Sequence, residues 1–218
     1  MADMDVAASI RLLSAAAIPV VYAITLHEVA HGLVARWFGD TTAERLGRLS
    51  LNPIRHVDPW GTVAVPLVLA LLSLPPFGWA KPVPVDSRRL PNPRRDMMIV
   101  AVAGPASNLL QALAWSLMLA LVIRMPGSGA REFLFAMGSF GISFNVLLAI
   151  FNLMPIPPLD GGRVLRGLLS PELGRKFDAV EPYGLIIVMG LLALGILGQV
   201  VAPLVRAVSA LFFFIARS

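Results

Sequence analysis

Two histidines and a glutamate within one apolar stretch have the types and spacing of a metal site. His27 and His31 are four residues apart, so they share one face of a helix, and Glu28 lies about 100° round from His27. This is the H-E-x-x-H pattern, in which two neutral imidazoles bind Zn²⁺ and the carboxylate acts as general base on the metal-bound water. The pattern occurs by chance in many proteins, so its surroundings decide its meaning.

The surroundings are a predicted apolar helix over residues 8–38, long enough to cross a bilayer. A carboxylate at mid-helix in a membrane costs on the order of 2.5–3.5 kcal/mol on insertion scales, so Glu28 needs a functional reason to be there. The alternative is that His27, Glu28 and His31 only form hydrogen bonds between helices. A third ligand elsewhere in the chain would nearly remove that alternative.

The composition predicts an all-α polytopic membrane protein that forms a single membrane-embedded domain over residues 1–218. Of the 218 residues, 57% are hydrophobic and 14% are charged, against ~25% charged in soluble domains. The chain has no cysteine, so only nitrogen and oxygen ligands can hold a metal. The net charge of +5 lies in short loops, which favours contact with the lipid bilayer over nucleic acid. Asp3 and Asp5 argue against an N-terminal signal peptide.

Further apolar segments complete a predicted fold of about five to six membrane helices. Two helices are expected at residues 96–124 and 132–153, each long enough to span. Two closing helices are expected at residues 183–197 and 203–216, because glycines and a proline interrupt the last apolar stretch. The second of these could instead lie in the membrane interface, since its apolar residues form one stripe.

A short apolar segment between the first two long helices predicts a re-entrant hairpin. Residues 61–74 are apolar but too few for a comfortable span, and two prolines end the run. The proline-rich, alternating residues 77–85 suit an edge-like extended strand. We interpret residues 61–85 as an excursion that enters the membrane and returns, and the fold is therefore expected to contain short extended strands.

Asp160 is the candidate third metal ligand. It follows an unwound, proline-stiffened segment, so its carboxylate can be aimed at a metal without the register limits of a helix, and the two glycines after it let the backbone approach closely. His56 is the rival ligand. It lies in a polar segment beside Arg55 and Asp58, where a surface histidine with a carboxylate neighbour is the simpler interpretation.

Three spaced motifs together resemble the site-2 protease family of intramembrane zinc metalloproteases. They are H-E-x-x-H at residues 27–31, G-P-x-x-N at residues 104–108 and N-x-x-P-x-P-P-L-D-G-G-R at residues 152–163. The resemblance covers about residues 26–166 and is closest to the compact branch of the family, without a PDZ or CBS domain. It implies hydrolysis of peptide bonds in or near transmembrane segments of substrate proteins.

The resemblance also implies roles for particular residues. His27, His31 and Asp160 would bind one Zn²⁺ per chain, and Glu28 would activate water. Asn152 is expected at the site, in contact with substrate or with the developing oxyanion.

Three further residues are candidates for substrate contact. Asn108 matches the middle motif, although an interhelical hydrogen bond is an equally good explanation. The extended segment that contains Trp79 and Val83 is a candidate to bind an unwound substrate by β-addition.

Two other functions compete with proteolysis. A transporter or metal-binding membrane protein would place ionisable residues along an ion path, but it gives no use to a base at Glu28, and no pair of broken helices suggests inverted repeats. An inactive, scaffold-like relative conflicts with the intact His27, Glu28, His31 and Asp160. Whether the chain forms homo-oligomers or needs a separate regulatory partner stays open.

The distribution of charged residues and the number of membrane crossings together predict the orientation in the membrane. Asp160 can reach the C-terminal part of the first helix only if an even number of net membrane crossings separates the two. The helices at residues 96–124 and 132–153 provide two crossings, which puts loops 39–60, 81–96 and 161–178 on one side of the membrane. These loops carry most of the Lys and Arg residues, so the positive-inside rule makes that side cytoplasmic. We therefore expect a multi-pass protein of a prokaryotic plasma membrane, with an outside N-terminus and a catalytic zinc that opens towards the cytoplasm.

Overall fold

The protein is all-helical over residues 6–71 and 78–218, which are the residues that the computed structural model describes. Three short 3₁₀ helices and a π-helical stretch, Pro59–Ala64, lie in the connections. The α-helices, in chain order, are α1 (Val6–Trp37), α2 (Thr42–Arg45), α3 (Val65–Leu71), α4 (Pro93–Ile123), α5 (Gly129–Asn152), α6 (Asp160–Leu168), α7 (Pro171–Asp178), α8 (Gly184–Ala193) and α9 (Ile196–Arg217).

Four helices of the described residues, α1, α4, α5 and α9, are long and apolar enough to cross a membrane. The prediction of an all-α integral membrane protein is therefore confirmed, with four such helices found where about five to six were expected. The difference arises at the C-terminus, where α8 has 10 residues. That length corresponds to about 15 Å, half of the roughly 30 Å hydrocarbon core.

Local signals explain where the long helices begin and end. Gly39 adopts φ 102° after α1 and donates its N–H to the carbonyl of Arg36 (2.9 Å), as a glycine after a helix C-terminus commonly does. The last boundary differs from our expectation: α9 begins after Gly195, at φ 73°, and Pro203 lies inside it. Gly195 breaks the chain, whereas a proline inside an apolar spanning helix is tolerated where neighbouring groups satisfy the freed backbone.

The α4 helix runs antiparallel to α1 and to α5, and small residues lie at the contacts. Gly141 of α5 faces Trp115 of α4, and a Cβ at Gly141 would lie 2.6 Å from the indole ring. Close approach of this kind is how apolar helices associate where lipid removes the hydrophobic driving force. The α9 helix runs parallel to α4, since Ser116 donates to the carbonyl of Phe212 (2.6 Å) and Arg124, just after the end of α4, donates to that of Ser218 (3.4 Å), just after the end of α9. The ends of α1 and α5 therefore lie on one side, and the end of α9 lies on the other.

The proline-rich segment after residue 77 is extended but forms no strand within the described residues. Trp79 donates its N–H to the carbonyl of Gly61 (3.1 Å), and Lys81 donates to that of His56 (2.9 Å), so loops rather than a partner strand accept these bonds. Pro82 and Pro84 have no N–H to extend a ladder, which explains the missing strand. The tip of the predicted re-entrant hairpin, residues 72–77, lies outside the described residues.

Two short helices, α6 and α7, occupy the stretch that we expected to be a loop. Arg94 at the start of α4 donates through Nε to the carbonyl of Gly167 (2.6 Å) and so caps the end of α6. Arg166 pairs with Asp178 of α7 through Nη2 and Oδ2 (2.8 Å), and this guanidinium lowers the pKa of Asp178 below its usual value. These contacts hold α6, which begins with Asp160, against α4.

Candidate metal centre

His27, His31 and Asp160 meet between α1 and the start of α6. The Nε2 atoms of the two histidines are 3.1 Å apart, and Oδ2 of Asp160 lies 3.2 Å from the first and 3.3 Å from the second. All three residues are buried, with exposed fractions of 5–6%. Two successive turns of one helix and the first residue of another thus bring three atoms together that could hold a metal ion.

Asn108 of α4 fixes the tautomer of His27. Its Oδ1 lies 2.6 Å from Nδ1 of His27, and its Nδ2 donates to the carbonyl of Ala23 (3.1 Å) and to Oδ1 of Asn145 (3.0 Å). Because the carbonyl of Ala23 can only accept, the amide group must turn its oxygen towards His27. The proton of the His27 ring is therefore on Nδ1, and Nε2 presents a lone pair.

A backbone carbonyl fixes His31 in the same way. Nδ1 of His31 lies 2.7 Å from the carbonyl oxygen of Val100. A carbonyl only accepts, so Nδ1 carries the proton and Nε2 again presents a lone pair. A metal-ligating histidine commonly donates its other ring N–H to an amide or carbonyl oxygen in this manner.

With both imidazoles neutral, no proton lies between the three ligand atoms. The two Nε2 lone pairs face each other and the carboxylate, and Oδ2 of Asp160 is buried without a hydrogen-bond donor. Buried lone pairs in this arrangement are costly unless a cation neutralises them. A tetrahedron of ligands at about 2.05 Å from a central Zn²⁺ has edges of about 3.3 Å, close to the observed separations. The residues fit a metal with three protein ligands and a fourth position left open.

Glycines make room for this convergence. A Cβ on Gly104 of α4 would lie 2.4 Å from Nε2 of His31 and 2.6 Å from the His27 ring. A Cβ on Gly161 would lie 2.2 Å from the carbonyl oxygen of Leu153. Only hydrogen fits at either position, so α4 and the turn before α6 can both approach the ligands.

Glu28 faces an extended backbone segment. It is half-buried, and its Oε2 accepts a hydrogen bond from the N–H of Val83 (2.7 Å). Within the described part of the chain no donor bonds Oε1. One carboxylate oxygen is thus held by the backbone and the other is left for a reacting group.

The remaining predicted site residues lie in different environments. The side chain of Asn152 is partly buried, and its Nδ2 donates to Leu148 of its own helix (3.0 Å). Trp79 is 37% exposed, whereas Val83 is only 7% exposed. Asn108 is fully buried, and both ends of its amide are bonded. This favours the interhelical hydrogen bond over substrate contact for Asn108.

The expected surface position of His56 is wrong. The residue is 3% exposed, its Nε2 lies 2.8 Å from the carbonyl oxygen of Ser50, and its own carbonyl accepts from Lys81. The loop folds beneath the extended segment and buries the ring there. Among the described residues, the group that could hold a metal consists of His27, His31 and Asp160, and it does not include His56.

Two contributors to the site, the carbonyl of Val100 and the side chain of Asn145, were not predicted from the sequence. A backbone carbonyl such as that of Val100 belongs to any residue type, so no sequence signal marks it. Asn145 belongs to no motif, and its hydrogen bonds with Asn108 of α4 and with the carbonyl of Gly141 depend on how the helices pack. Gly104 did carry a signal, because it opens the G-P-x-x-N motif, but the sequence did not tell which neighbour it approaches.

A bundle of apolar helices around a buried His-His-Asp group defines an integral membrane protein with a candidate metal centre. A sequence model of peptidase family M50 matches residues 116–196, which include Asp160. The chain is 37% identical over 197 residues to YwhC of Bacillus subtilis, a protein named as a candidate zinc metalloprotease, and the match covers 87% of this chain and 85% of that protein.

A second relative supports the same grouping. The chain is 33% identical over 170 residues to Rip2 of Mycolicibacterium smegmatis, also named as a candidate zinc metalloprotease, with 78% of this chain and 62% of that protein covered. No solved structure matches the chain. The protein belongs to peptidase family M50, the site-2 protease family, which confirms the resemblance seen in its motifs.

The Gly104 contact predicts a steric test of the site. Gly104→Ala would push a methyl group against the ligand atom of His31, so we expect purified protein to lose most of its bound zinc. Gly190→Ala is the control, since a Cβ there meets nothing within 4 Å. Metal analysis by mass spectrometry on folded, monodisperse protein measures both. Full zinc occupancy in Gly104→Ala would show that the metal does not lie where these ligands converge.

The ligand assignment predicts unequal effects at the two rival positions. Asp160→Ala removes the carboxylate from the centre and should lower zinc content severalfold, whereas His56→Ala should keep zinc bound even if it reduces stability. The buried His56 ring makes a thermal unfolding measurement a necessary companion to the metal analysis. Loss of zinc from a folded His56→Ala protein, with retention in Asp160→Ala, would reverse the assignment.

Proposed function

We propose that this protein is an intramembrane zinc metalloendopeptidase that hydrolyses peptide bonds in or near transmembrane segments of substrate proteins. One membrane-embedded domain, residues 1–218, would carry the whole site. The observation that carries the proposal is the convergence of three buried ligand atoms, of His27, His31 and Asp160, next to the half-buried Glu28. Metalloprotease names among the relatives agree with it.

The residues divide the chemistry among them. When bound, the Zn²⁺ would supply Lewis acidity that polarises the scissile carbonyl and makes water nucleophilic near neutral pH. Glu28 takes the proton from the attacking water and passes it to the leaving amine. Asn108 and the carbonyl of Val100 keep the two imidazoles in the tautomer that can bind a cation. Asn152, at the end of α5, is the candidate to contact substrate or the developing oxyanion.

The depth of the site suits a membrane substrate. His27 lies ten residues before the end of α1 at Trp37, which corresponds to about 15 Å of helix, or half of a hydrocarbon core of about 30 Å. A transmembrane helix hides its amides in its own hydrogen bonds, so the substrate must unwind locally before attack. A transmembrane protein in the lipid bilayer is therefore the partner we propose.

The extended segment restricts how an unwound substrate could pair with it. The N–H groups of Trp79, Lys81 and Val83 bond to Gly61, His56 and Glu28, so they point into the protein. Ala80, Pro82 and Pro84 alternate with them and face the other edge, and the two prolines have no N–H. β-Addition at this edge would therefore depend mainly on backbone carbonyls that accept hydrogen bonds from the substrate.

The proposed topology includes the re-entrant hairpin. The hydrogen bond between Trp79 and Gly61 brings the two ends of the excursion together, which supports a path with no net crossing. The α1, α4 and α5 helices then cross three times before Asp160. The side that holds the end of α1 carries a large group of cations: Arg45, Arg48, Arg55, Lys81, Arg88, Arg89, Arg94, Arg95, Arg163, Arg166, Arg175 and Lys176. By the positive-inside rule it is cytoplasmic, in a prokaryotic plasma membrane.

The general base predicts a loss of activity without a loss of metal. Glu28→Gln keeps the shape of the side chain and an acceptor for the N–H of Val83, but the amide cannot take a proton, so cleavage of a model transmembrane peptide should fall by at least about 100-fold with zinc still bound. Glu44→Gln, which disturbs only an exposed ion pair with Arg36, is the matched control. Chelation should abolish the activity of wild type and control alike. Near-normal cleavage by Glu28→Gln would show that Glu28 is not the general base.

The orientation predicts which introduced cysteines are accessible in intact cells. In this cysteine-free chain, a cysteine at Ser128 should react with an impermeant thiol reagent, and cysteines at Ser50 and Ser87 should react only after permeabilisation. Labelling of position 87 but not position 128 would overturn the orientation. Labelling that separates positions 50 and 87 would instead overturn the re-entrant path.

A further inference from the structure

Two buried charged residues follow α1 and have no partner of opposite charge. Asp40 is 1% exposed and Arg48 is 8% exposed, and neither forms an ion pair with any described residue. A buried unpaired charge is costly, so proteins keep one where its hydrogen bonds compensate the cost. Asp40 is also at an unfavourable place for an anion, because it lies beside the negative end of the α1 dipole.

Both charges bond to the backbone of the same extended segment. Oδ2 of Asp40 accepts the N–H of Asp86 (2.7 Å), and Nη2 of Arg48 donates to the carbonyl of Lys81 (2.6 Å). Thr42 donates its backbone N–H and its hydroxyl to the other carboxylate oxygen of Asp40. Burial raises the pKa of Asp40, but these hydrogen bonds outweigh burial and bring the pKa below its usual value, so the group stays ionised at neutral pH.

The N–H that binds Glu28 lies between these two anchors. Val83 is two residues after Lys81 and three before Asp86, and its N–H donates to Oε2 of Glu28 (2.7 Å). Pro82 and Pro84 flank it, which restricts the backbone φ on both sides of the donor. The position of the Val83 amide is therefore determined by where the two anchors hold the segment.

Side-chain packing makes this position sensitive to small shifts. Val83 is buried against α1 at Gly32, where a Cβ would lie 2.8 Å from Cγ1 of Val83 and 2.4 Å from Cδ2 of Leu49. The segment thus fits into a notch directly after His31. Loss of an anchor would let the segment move out of the notch and carry the Val83 amide away from Glu28.

We propose that Asp40 and Arg48 are positioning residues for the general base: they clamp residues 81–86 so that the backbone N–H of Val83 holds one oxygen of Glu28 and aims the other at the reacting water. The kinetic part of this proposal rests on the proposed peptidase function. A carboxylate held at one oxygen has little freedom to rotate, and misplacement of a catalytic group by about 1 Å can cost about 100-fold in rate. Among the described residues, the hydrogen bonds of both side chains go to Thr42, Lys81, Pro82 and Asp86, and none goes to His27, His31, Asp160 or Glu28.

The test uses full-length, zinc-loaded protein and two independent measurements. The variants are Asp40→Ala and Arg48→Leu, with Asp40→Asn and Arg48→Lys as conservative forms that keep an acceptor or a donor. Arg88→Gln is the matched control, because it removes an exposed ion pair with Asp86 in the same segment and leaves the two anchors intact. Amide hydrogen exchange at Val83, followed in protein labelled with ¹⁵N-valine, reports on the Glu28 bond. Steady-state cleavage of a transmembrane peptide reports kcat and KM separately.

We expect Asp40→Ala and Arg48→Leu to exchange the Val83 amide severalfold faster, to retain zinc, and to lower kcat by on the order of 10- to 100-fold with KM within about twofold of wild type. The conservative forms should recover part of both effects, which also covers the case in which a larger truncation fails to fold. The Arg88→Gln control should match wild type.

Each other result decides against part of the proposal. Unchanged exchange at Val83 in folded variants would show that the anchors do not hold it. Faster exchange with unchanged kcat would show that the clamp does not position the base. If the wild-type protein cleaves no peptide and the variants still exchange the Val83 amide faster, the proposed function is wrong. The clamp then stands only as a structural feature that holds Glu28.

Discussion

The site depends on three ligand atoms that must all be without a proton in a place that water cannot reach freely. Asn108 and the carbonyl of Val100 accept hydrogen bonds from the Nδ1–H groups of the two histidines, so in the neutral rings both Nε2 atoms point lone pairs at each other and at Asp160. While both imidazoles are neutral, no donor within the group can relieve this, because their N–H groups already bond to Asn108 and Val100. A cation is the one partner that satisfies all three atoms at once, and the surrounding helices are arranged to make that contact possible.

The arrangement is achieved by removing side chains as much as by placing them. Gly104 lets α4 lie against the imidazoles, Gly32 lets the extended segment lie against α1, and Gly161 lets the turn before α6 reach the ligands. In each case a Cβ would come within 3 Å of an atom in or beside the site. Apolar helices have little hydrophobic reason to associate in lipid, so close backbone approach and interhelical hydrogen bonds such as Asn108 to Asn145 must hold them.

The sequence was sufficient for the parts of this structure that rest on local patterns. The sequence alone shows the helical spacing of His27 and His31 and the proline-rich segment before Asp160. It also shows the apolar runs that form α1, α4 and α5. The features that could not be predicted depend on contacts between segments that are distant in sequence. The carbonyl of Val100 has no residue signature, and His56 is buried because its loop folds beneath the extended segment. The start of α9 could not be predicted from the sequence, because Gly195 and Pro203 are both residues that commonly interrupt a helix and only Gly195 does so here.

Irregular backbone near the candidate metal centre of such a membrane protein has a requirement that helices do not, since each N–H and carbonyl out of reach of water needs a partner from the protein. The segment after residue 77 meets this requirement with the charged groups of Glu28, Asp40 and Arg48, each of which bonds to its backbone instead of to another charge. The same bonds that make an extended segment tolerable there also attach it to the base. The same hydrogen bonds therefore stabilise the non-helical backbone and position Glu28, so a change that loosens the segment affects both.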